Sequence, residues 1–452
     1  MASSKGFIYQ CTLVAALGGL LFGYDTAVVA GAIGFIEEKY KLSAAMTGWA
    51  ASCALIGCMI GAMLAGWLSD RLGRRKVLMI SAWAFAISSV GIMIPQGLGL
   101  FIAFRMIGGF GIGIASILSP LYISEIAPAH IRGRLISIYQ LGIVIGILLI
   151  YFVNAIIAGL YDHTWNVDTG WRWMFGSGIV PSILFIALLL KAPESPRWLA
   201  ARRRWDDASD ILTKVNGSEK AEIELLAIRE SLSERQGRFS DLVKPGLRTA
   251  LIIGIVLAVF SQVTGINAIM YYAPVIFQQT GDGTSSALTQ TIWVGGINVL
   301  MTLVAIRYVD QLGRKKLLMI GAAGMAVCLA LVAVLFGNIA TAGIGILIGI
   351  LLYISFFAIS LGPLTFVVVA EIFPNAVRGR AMGVAIFFLW LSVYAVSQSF
   401  PMLLEAIGPA STFWIYMAMS VAAFLFIWRS VPETKEKTLE EIQQMWQPKN
   451  PN

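Results

Sequence analysis

The chain has 452 residues, 58% of them hydrophobic and only 13% charged, with a mean hydropathy of +0.79 and a formal net charge of +8. A soluble protein carries roughly a quarter charged residues, so this composition excludes an ordinary water-soluble domain. The apolar residues come in runs of about 20 that do not alternate, which fits membrane-crossing helices and not the strands of a barrel.

Twelve spans are expected in an all-α membrane protein, at residues 7–35, 44–68, 77–95, 98–121, 135–159 and 171–192, then 247–277, 287–307, 317–337, 343–370, 381–404 and 410–429. The first lacks a small-residue cleavage site and reads as a retained helix. It holds one acid, Asp25 in LLFGYDTAVVAGAIGF, and the fourth span holds one base, Arg105 in FIAFRMIGGFGIG. A charge at the bilayer centre costs from about 3 to more than 10 kcal/mol, so each is a functional candidate. If the two spans meet, the side chains neutralise each other. A static buried pair is often no more stable than a hydrophobic substitute. A carboxylate that takes a proton in one state and releases it in another has a use, because burial favours the neutral acid and a nearby arginine the charged one. A static pair is the alternative. Gly108, Gly109, Gly111 and Gly113 beside Arg105 lack the strand of a phosphate loop and are expected to serve close helix packing.

Two loop motifs repeat. GWLSDRLGRRK at 66–76 returns as YVDQLGRKK at 308–316, aligned 240 positions later, and YISEIAPAHIRGR at 122–134 returns as VVAEIFPNAVRGR at 368–380, 246 positions later. The chain therefore reads as an N-terminal six-helix half (1–192), a cytoplasmic linker (193–246), a C-terminal six-helix half (247–430) and a cytoplasmic tail (431–452). Parallel repeats of this kind place a substrate site near the midplane between the halves. The repeated loops supply a candidate cytoplasmic gate: Asp70, Arg71, Gly73, Arg74, Arg75, Glu125, Arg132 and Arg134 in the first half, and Asp310, Gly313, Arg314, Glu371, Arg378 and Arg380 in the second. There the glutamates can pair with arginines and the glycines permit tight turns. The linker stretches ARRRWDDASDILTKV and AEIELLAIRESLSER have the spacing of short amphipathic helices, and Thr438 with Glu441 resembles a capping box in the tail.

The basic charge reports orientation. Of 33 Lys and Arg, only Lys39 and Lys41 fall on loops after odd-numbered spans, with Arg172 at the border of the sixth span, which places both termini in the cytoplasm. Nucleic acid is not implied. Cys11, Cys53, Cys58 and Cys328 all fall within spans and read as small core residues. His130 and His163 are too few and too far apart for a metal site. Neither a nucleophile–base set nor an ATP-binding loop is visible, so no enzyme activity and no cofactor are expected.

The pieces DRLGRRK (70–76), E-x-x-P-x-x-x-R-G-R (125–134 and 371–380), PESPRWL (193–199), QVTGINAIMYY (262–272) and PETKEKTLEE (432–441) together resemble the sugar porters of the major facilitator superfamily. In character the chain is similar to bacterial sugar–proton symporters related to xylose and glucose permeases, and more distantly to animal glucose facilitators. The resemblance implies twelve helices, alternating access and a monosaccharide substrate. It also implies proton linkage, because proton-linked members carry aspartate in the F-G-Y-D stretch where facilitators commonly carry asparagine.

Sugars are bound by amide side chains, which both donate and accept, and by aromatic faces. Gln262 and Asn267 lie five apart, too far round one helix, and a break near Gly265 would bring both toward a cavity. By resemblance, Gln140, Gln262, Asn267 and Asn298 bind sugar hydroxyls and Trp390 stacks on the ring, with Phe22 and Tyr271 as wall or gate residues. The chain departs from the family in Ser261 before Gln262, in Phe366 after Gly362-Pro363 and in Leu389 before Trp390, each of which removes a hydrogen-bond donor. It also has Gly178 where some proton-coupled relatives carry a carboxylate. Gly362-Pro363 is read as a hinge over the site. The expectation is a monomeric, multi-pass sugar:proton symporter of the bacterial inner membrane, driven through Asp25 and Arg105. A passive facilitator is the alternative, and a sugar sensor of the same fold comes third.

Overall fold

The computed structural model describes residues 2–94, 97–128, 131–233, 239–245, 247–281, 283–337 and 343–434. All regular structure in them is helical. Residues 2–158 contain α1 (Ala2–Tyr40), α2 (Ala44–Leu72), α3 (Arg74–Met93), α4 (Leu98–Ile126) and α5 (Arg132–Ala158). A short α6 (His163–Trp165) and a π-helical turn (Asn166–Gly170) then lead into α7 (Trp171–Gly176) and α8 (Ile179–Lys191). The linker supplies α9 (Pro196–Ala201), α10 (Trp205–Asn216) and α11 (Ser218–Ser233). After it come α12 (Leu247–Val263), α13 (Ile266–Gln278), α14 (Thr284–Leu312), α15 (Arg314–Phe336), α16 (Gly343–Ile359), α17 (Leu361–Glu371) and α18 (Asn375–Ser430).

Among the described residues, eleven helical stretches are long and apolar enough to cross a membrane. The last of these, Val377–Ser430, runs for 54 residues, against the roughly 20 that one crossing needs. Gly408 breaks it with φ +77° just before Pro409, so this stretch holds two spans and the total is twelve. Large apolar side chains point outward from many helices, among them Trp83, Val180, Leu190 and Val327.

The described residues group into two compact units. The first comprises Met1–Val28, Cys53–Val153 and Arg172–Arg235; the second comprises Val29–Ser52, Asn154–Trp171 and Gln236–Asn452. Inside the first unit, α2 and α4 approach to backbone contact. A Cβ on Gly109 would lie 1.9 Å from the Ala54 carbonyl oxygen, and one on Gly113 would lie 2.2 Å from that of Cys58. The glycine run beside Arg105 therefore does the close packing expected of it. The linker helices carry a small core of Leu199, Ala200 and Ala208, against which Trp198, Trp205, Ile211, Leu225 and Ile228 pack. Trp198 Nε1 and Arg202 Nη2 each donate to the Asp70 carbonyl at 3.0 Å, tying the start of the linker to the end of α2.

Two helix breaks shape the second unit. Gly265, at φ +98° in the left-handed region, separates α12 from α13. Tyr353 from α16 donates its hydroxyl to the Thr264 carbonyl at 3.0 Å, capping an acceptor at this break. The other break lies at Ser360 (φ −131°, ψ −98°), between α16 and α17 and three residues ahead of Pro363. Pro363 has no N–H to offer the Ile359 carbonyl one turn back. The bend is thus centred at Ser360 and not on the Gly362-Pro363 pair itself.

Candidate functional site

Asp25 and Arg105 meet. Arg105 Nη1 donates to Asp25 Oδ2 at 3.0 Å, and its Nη2 makes a longer contact of 3.4 Å to the Asp25 carbonyl. The guanidinium also sits 5.0 Å from the centre of the Phe175 ring, within the range of a cation–π contact. The two partners are unequally covered: the arginine side chain is 2% exposed and the aspartate side chain 13%. The cation is fixed in the core and the acid keeps an open side. Tyr24, the neighbour of Asp25, bonds Ser177 at 2.7 Å, so both sides of this pair are built from α1, α4 and the α7–α8 region.

The loop residues form two networks, one in each unit. In the first, Arg74 makes a two-pronged pair with Glu125, Nε to Oε2 at 2.9 Å and Nη2 to Oε1 at 3.0 Å, while its Nη1 reaches Asp70 Oδ1 at 3.2 Å. Arg75 instead caps the end of α8, donating to the Leu189 and Leu190 carbonyls at 2.9 and 2.8 Å. In the second unit, Arg314 Nη2 donates to Glu371 Oε1 at 3.2 Å, and Arg378 bonds the Phe373 carbonyl through Nε and Nη2 at 3.3 and 3.2 Å. Arg71 lies over the Trp67 ring at 4.3 Å, Arg134 is exposed and Arg380 lies in the first turns of α18. The side chains of Arg132 and Asp310, like Thr438 and Glu441, lie outside the described part of the structure.

Two residues missing from the sequence reading complete these networks. Glu194 Oε1 accepts from the backbone N–H groups of Arg74 at 2.8 Å and Arg75 at 3.2 Å, so an acid sits on the free N-terminus of α3. Glu433 does the same at α15, accepting from Arg314 N at 3.0 Å and Lys315 N at 3.1 Å. Gly73 (φ +95°) and Gly313 (φ +87°) make the turns beneath them, and a Cβ on Gly73 would lie 2.2 Å from Glu194 Oε2. The signal was in the sequence: PES at 193–195 and PET at 432–434 are a third repeated motif, 239 positions apart. Thr434 ties the second cap to its ion pair through a 2.5 Å bond to Glu371.

Most of the expected sugar contacts lie in the second unit. The Gly265 break brings Gln262 and Asn267 together, Asn267 Nδ2 donating to Gln262 Oε1 at 2.5 Å, and Gln262 Nε2 donates to Ser261 Oγ at 3.0 Å. Tyr271 on α13, Asn298 on α14 and Trp390 on α18 are buried, Gly362 is half-buried, and Phe366 on α17 is exposed. In the first unit, Phe22 on α1 and Gln140 on α5 are half-buried. Among the described residues no cluster of three or more His, Cys, Asp or Glu could hold a metal ion.

Residues 11–446 match the family described as Sugar (and other) transporter. The chain belongs to this sugar transporter family. Among its relatives, the arabinose-proton symporter of Bacillus subtilis (strain 168) is 46% identical over 444 residues, covering 98% of this chain and 96% of the relative. The D-xylose-proton symporter of Escherichia coli (strain K12) is 43% identical, covering 98% and 97%. Among solved structures, a partially occluded inward open conformation of the xylose transporter XylE from E. coli superposes with a TM-score of 0.87 at 42% identity, covering 96% of this chain and all of that one. The sugar transporter fold thus accounts for nearly the whole length, and the buried ion pair and the amide pair both fall inside the matched segment.

Proposed function

We propose that this sugar transporter is a monosaccharide:proton symporter of the bacterial inner membrane, working as a monomer by alternating access, with both termini in the cytoplasm. Asp25 takes up and releases the proton, and Arg105 governs how tightly it is held. Gln262, Asn267 and Asn298 bind sugar hydroxyls and Trp390 stacks on the ring, with Gln140, Phe22, Tyr271, Gly362 and Phe366 completing the contacts. The repeated loops act as cytoplasmic gates in two six-helix halves.

The observation that carries this reading is the Asp25–Arg105 pair, an acid left partly open beside an almost fully covered arginine. A neutral sugar supplies no charge for such a pair to recognise, so a proton is the species it fits. The names of the bacterial relatives, arabinose-proton and D-xylose-proton symporters, support the same pairing of solutes and make pentoses the first substrates to assay.

The test uses purified protein in liposomes with an imposed proton gradient and labelled sugars. Wild type is expected to concentrate its substrate, and Asp25→Asn to exchange sugar across the membrane without concentrating it. Uphill accumulation by Asp25→Asn at the wild-type level would leave a passive carrier as the better reading.

A further inference from the structure

A small cavity opens beside Asp25. Its walls include Tyr24 and Asp25 of α1, Ser89 of α3, Phe175 of α7, Gly178, and Ser182 of α8. The space open to the centre of a water molecule is about 10 Å³, at the threshold of roughly 10–15 Å³ that one water requires. A water also needs two to four polar partners, and the lining supplies them. Asp25 Oδ2 is taken by Arg105, while Oδ1 accepts no hydrogen bond from the described residues. Ser182 Oγ donates to the Gly178 carbonyl at 2.7 Å and keeps its acceptor side. Ser89 contributes a second hydroxyl, almost fully buried. Tyr24 is occupied by Ser177 and closes the wall.

Gly178 explains why the space exists. Its backbone is ordinary right-handed helix (φ −61°, ψ −14°), a conformation open to every residue, so conformation does not call for glycine here. Room does: a Cβ at this position would stand 2.8 Å from Ser89 Oγ.

We propose that this cavity binds one water, held by Ser89 and Ser182, which carries the proton to and from Asp25. The inference rests on the reading of Asp25 as the coupling acid. In the loading step the water arrives as hydronium, one of its O–H bonds breaks as a new O–H bond forms on Asp25 Oδ1, and neutral water remains. Release runs the same exchange backwards. The charged and titratable groups around the acid are Arg105 from α4, Tyr24 on its own helix, and Cys53 and Cys58 from α2, which interact with its charge. From α3 and α8 the cavity receives hydroxyls.

The test compares Ser89→Ala, Gly178→Ala and Asp25→Asn with wild type in proteoliposomes, using labelled arabinose and xylose. Uphill uptake under a proton gradient is read beside counterflow without one. Ser89→Ala and Gly178→Ala are expected to slow proton-driven uptake on the order of tenfold, the worth of one hydrogen bond, with counterflow within about twofold of wild type. The Ser89→Ala deficit is expected to shrink as outer pH falls and hydronium becomes plentiful, which a mere packing defect would not do. Ser89→Ala removes only a hydroxyl, so it decides the matter if Gly178→Ala fails to fold. Wild-type uphill uptake in Ser89→Ala, with uptake lost in Asp25→Asn, overturns the water relay and leaves Asp25 in place. Wild-type uptake in Asp25→Asn overturns the coupling acid, and the relay with it.

Discussion

Glu194 accepts a hydrogen bond from the backbone N–H of Arg74 at 2.8 Å, across 120 residues of sequence. The same carboxylate oxygen takes the N–H of Arg75, and Gly73 makes the turn that lets it approach. An anion on a helix N-terminus contributes up to about 2 kcal/mol when partly buried. Glu194→Ala is therefore expected to lower stability by about 2 kcal/mol, seen as an earlier thermal unfolding midpoint of the purified protein. Gly73→Ala should cost at least as much, because it combines positive φ with a Cβ 2.2 Å from Glu194 Oε2. An unchanged midpoint in both variants would remove the cap from the account.

The pair beneath that cap gives a graded prediction. Arg74 and Glu125 are 11% and 5% exposed at the side chain, whereas Arg314 and Glu371 are 14% and 28%. Arg74→Met leaves an uncompensated carboxylate in the more covered site and is expected to cost about 3–5 kcal/mol, with Glu125→Gln recovering part of the loss in the double variant. Arg314→Met leaves Glu371 access to solvent and to Thr434, so its cost should be smaller. Denaturation of these three variants measures the difference, and equal losses from Arg74→Met and Arg314→Met would contradict the argument from burial.

The bonded amides make a prediction about sugar affinity. Gln262→Ala and Asn267→Ala each remove a polar group and unpair its partner, which corresponds to about 1–3 kcal/mol and roughly a fivefold to 150-fold loss of affinity. Gly265→Ala touches no sugar, yet it is expected to weaken binding as well. A methyl there would lie 2.8 Å from the Tyr416 ring, at a backbone angle that disfavours any side chain. Counterflow at a series of sugar concentrations reads all three; full affinity in Gln262→Ala and Asn267→Ala together would reject these residues as sugar contacts.

The large features were legible because they rest on composition and repetition. Runs of apolar residues predict the helices, and the gap expected between the last two spans, 405–409, contains Gly408, where α18 divides. That Asp25 and Arg105 would neutralise each other if their spans met was legible from the cost of burying either one alone. The break at Gly265 was readable because Gln262 and Asn267 are five residues apart, which needs an interruption if both are to face one way. Glu194 and Glu433 were harder to find. Their partners are backbone N–H groups, which leave no side-chain pattern, and only the PES and PET repeat marks them. The shift of the bend from Pro363 back to Ser360 depends on which carbonyl loses its donor, a detail of hydrogen-bond register. The cavity by Asp25 is set by the mutual approach of α1, α3 and α8, which no local pattern records.

The placement of the two glutamate caps has a consequence for biosynthesis. The first turn of α3 waits for Glu194, 120 positions downstream, and that of α15 waits for Glu433, 119 positions downstream. At about 5–20 residues per second, a ribosome needs on the order of ten seconds to deliver either one. Each corner thus stays unfinished until nearly all of its own set of helices has been translated. In a chain cut short before either glutamate, the first N–H groups of that helix would be left without their carboxylate partner.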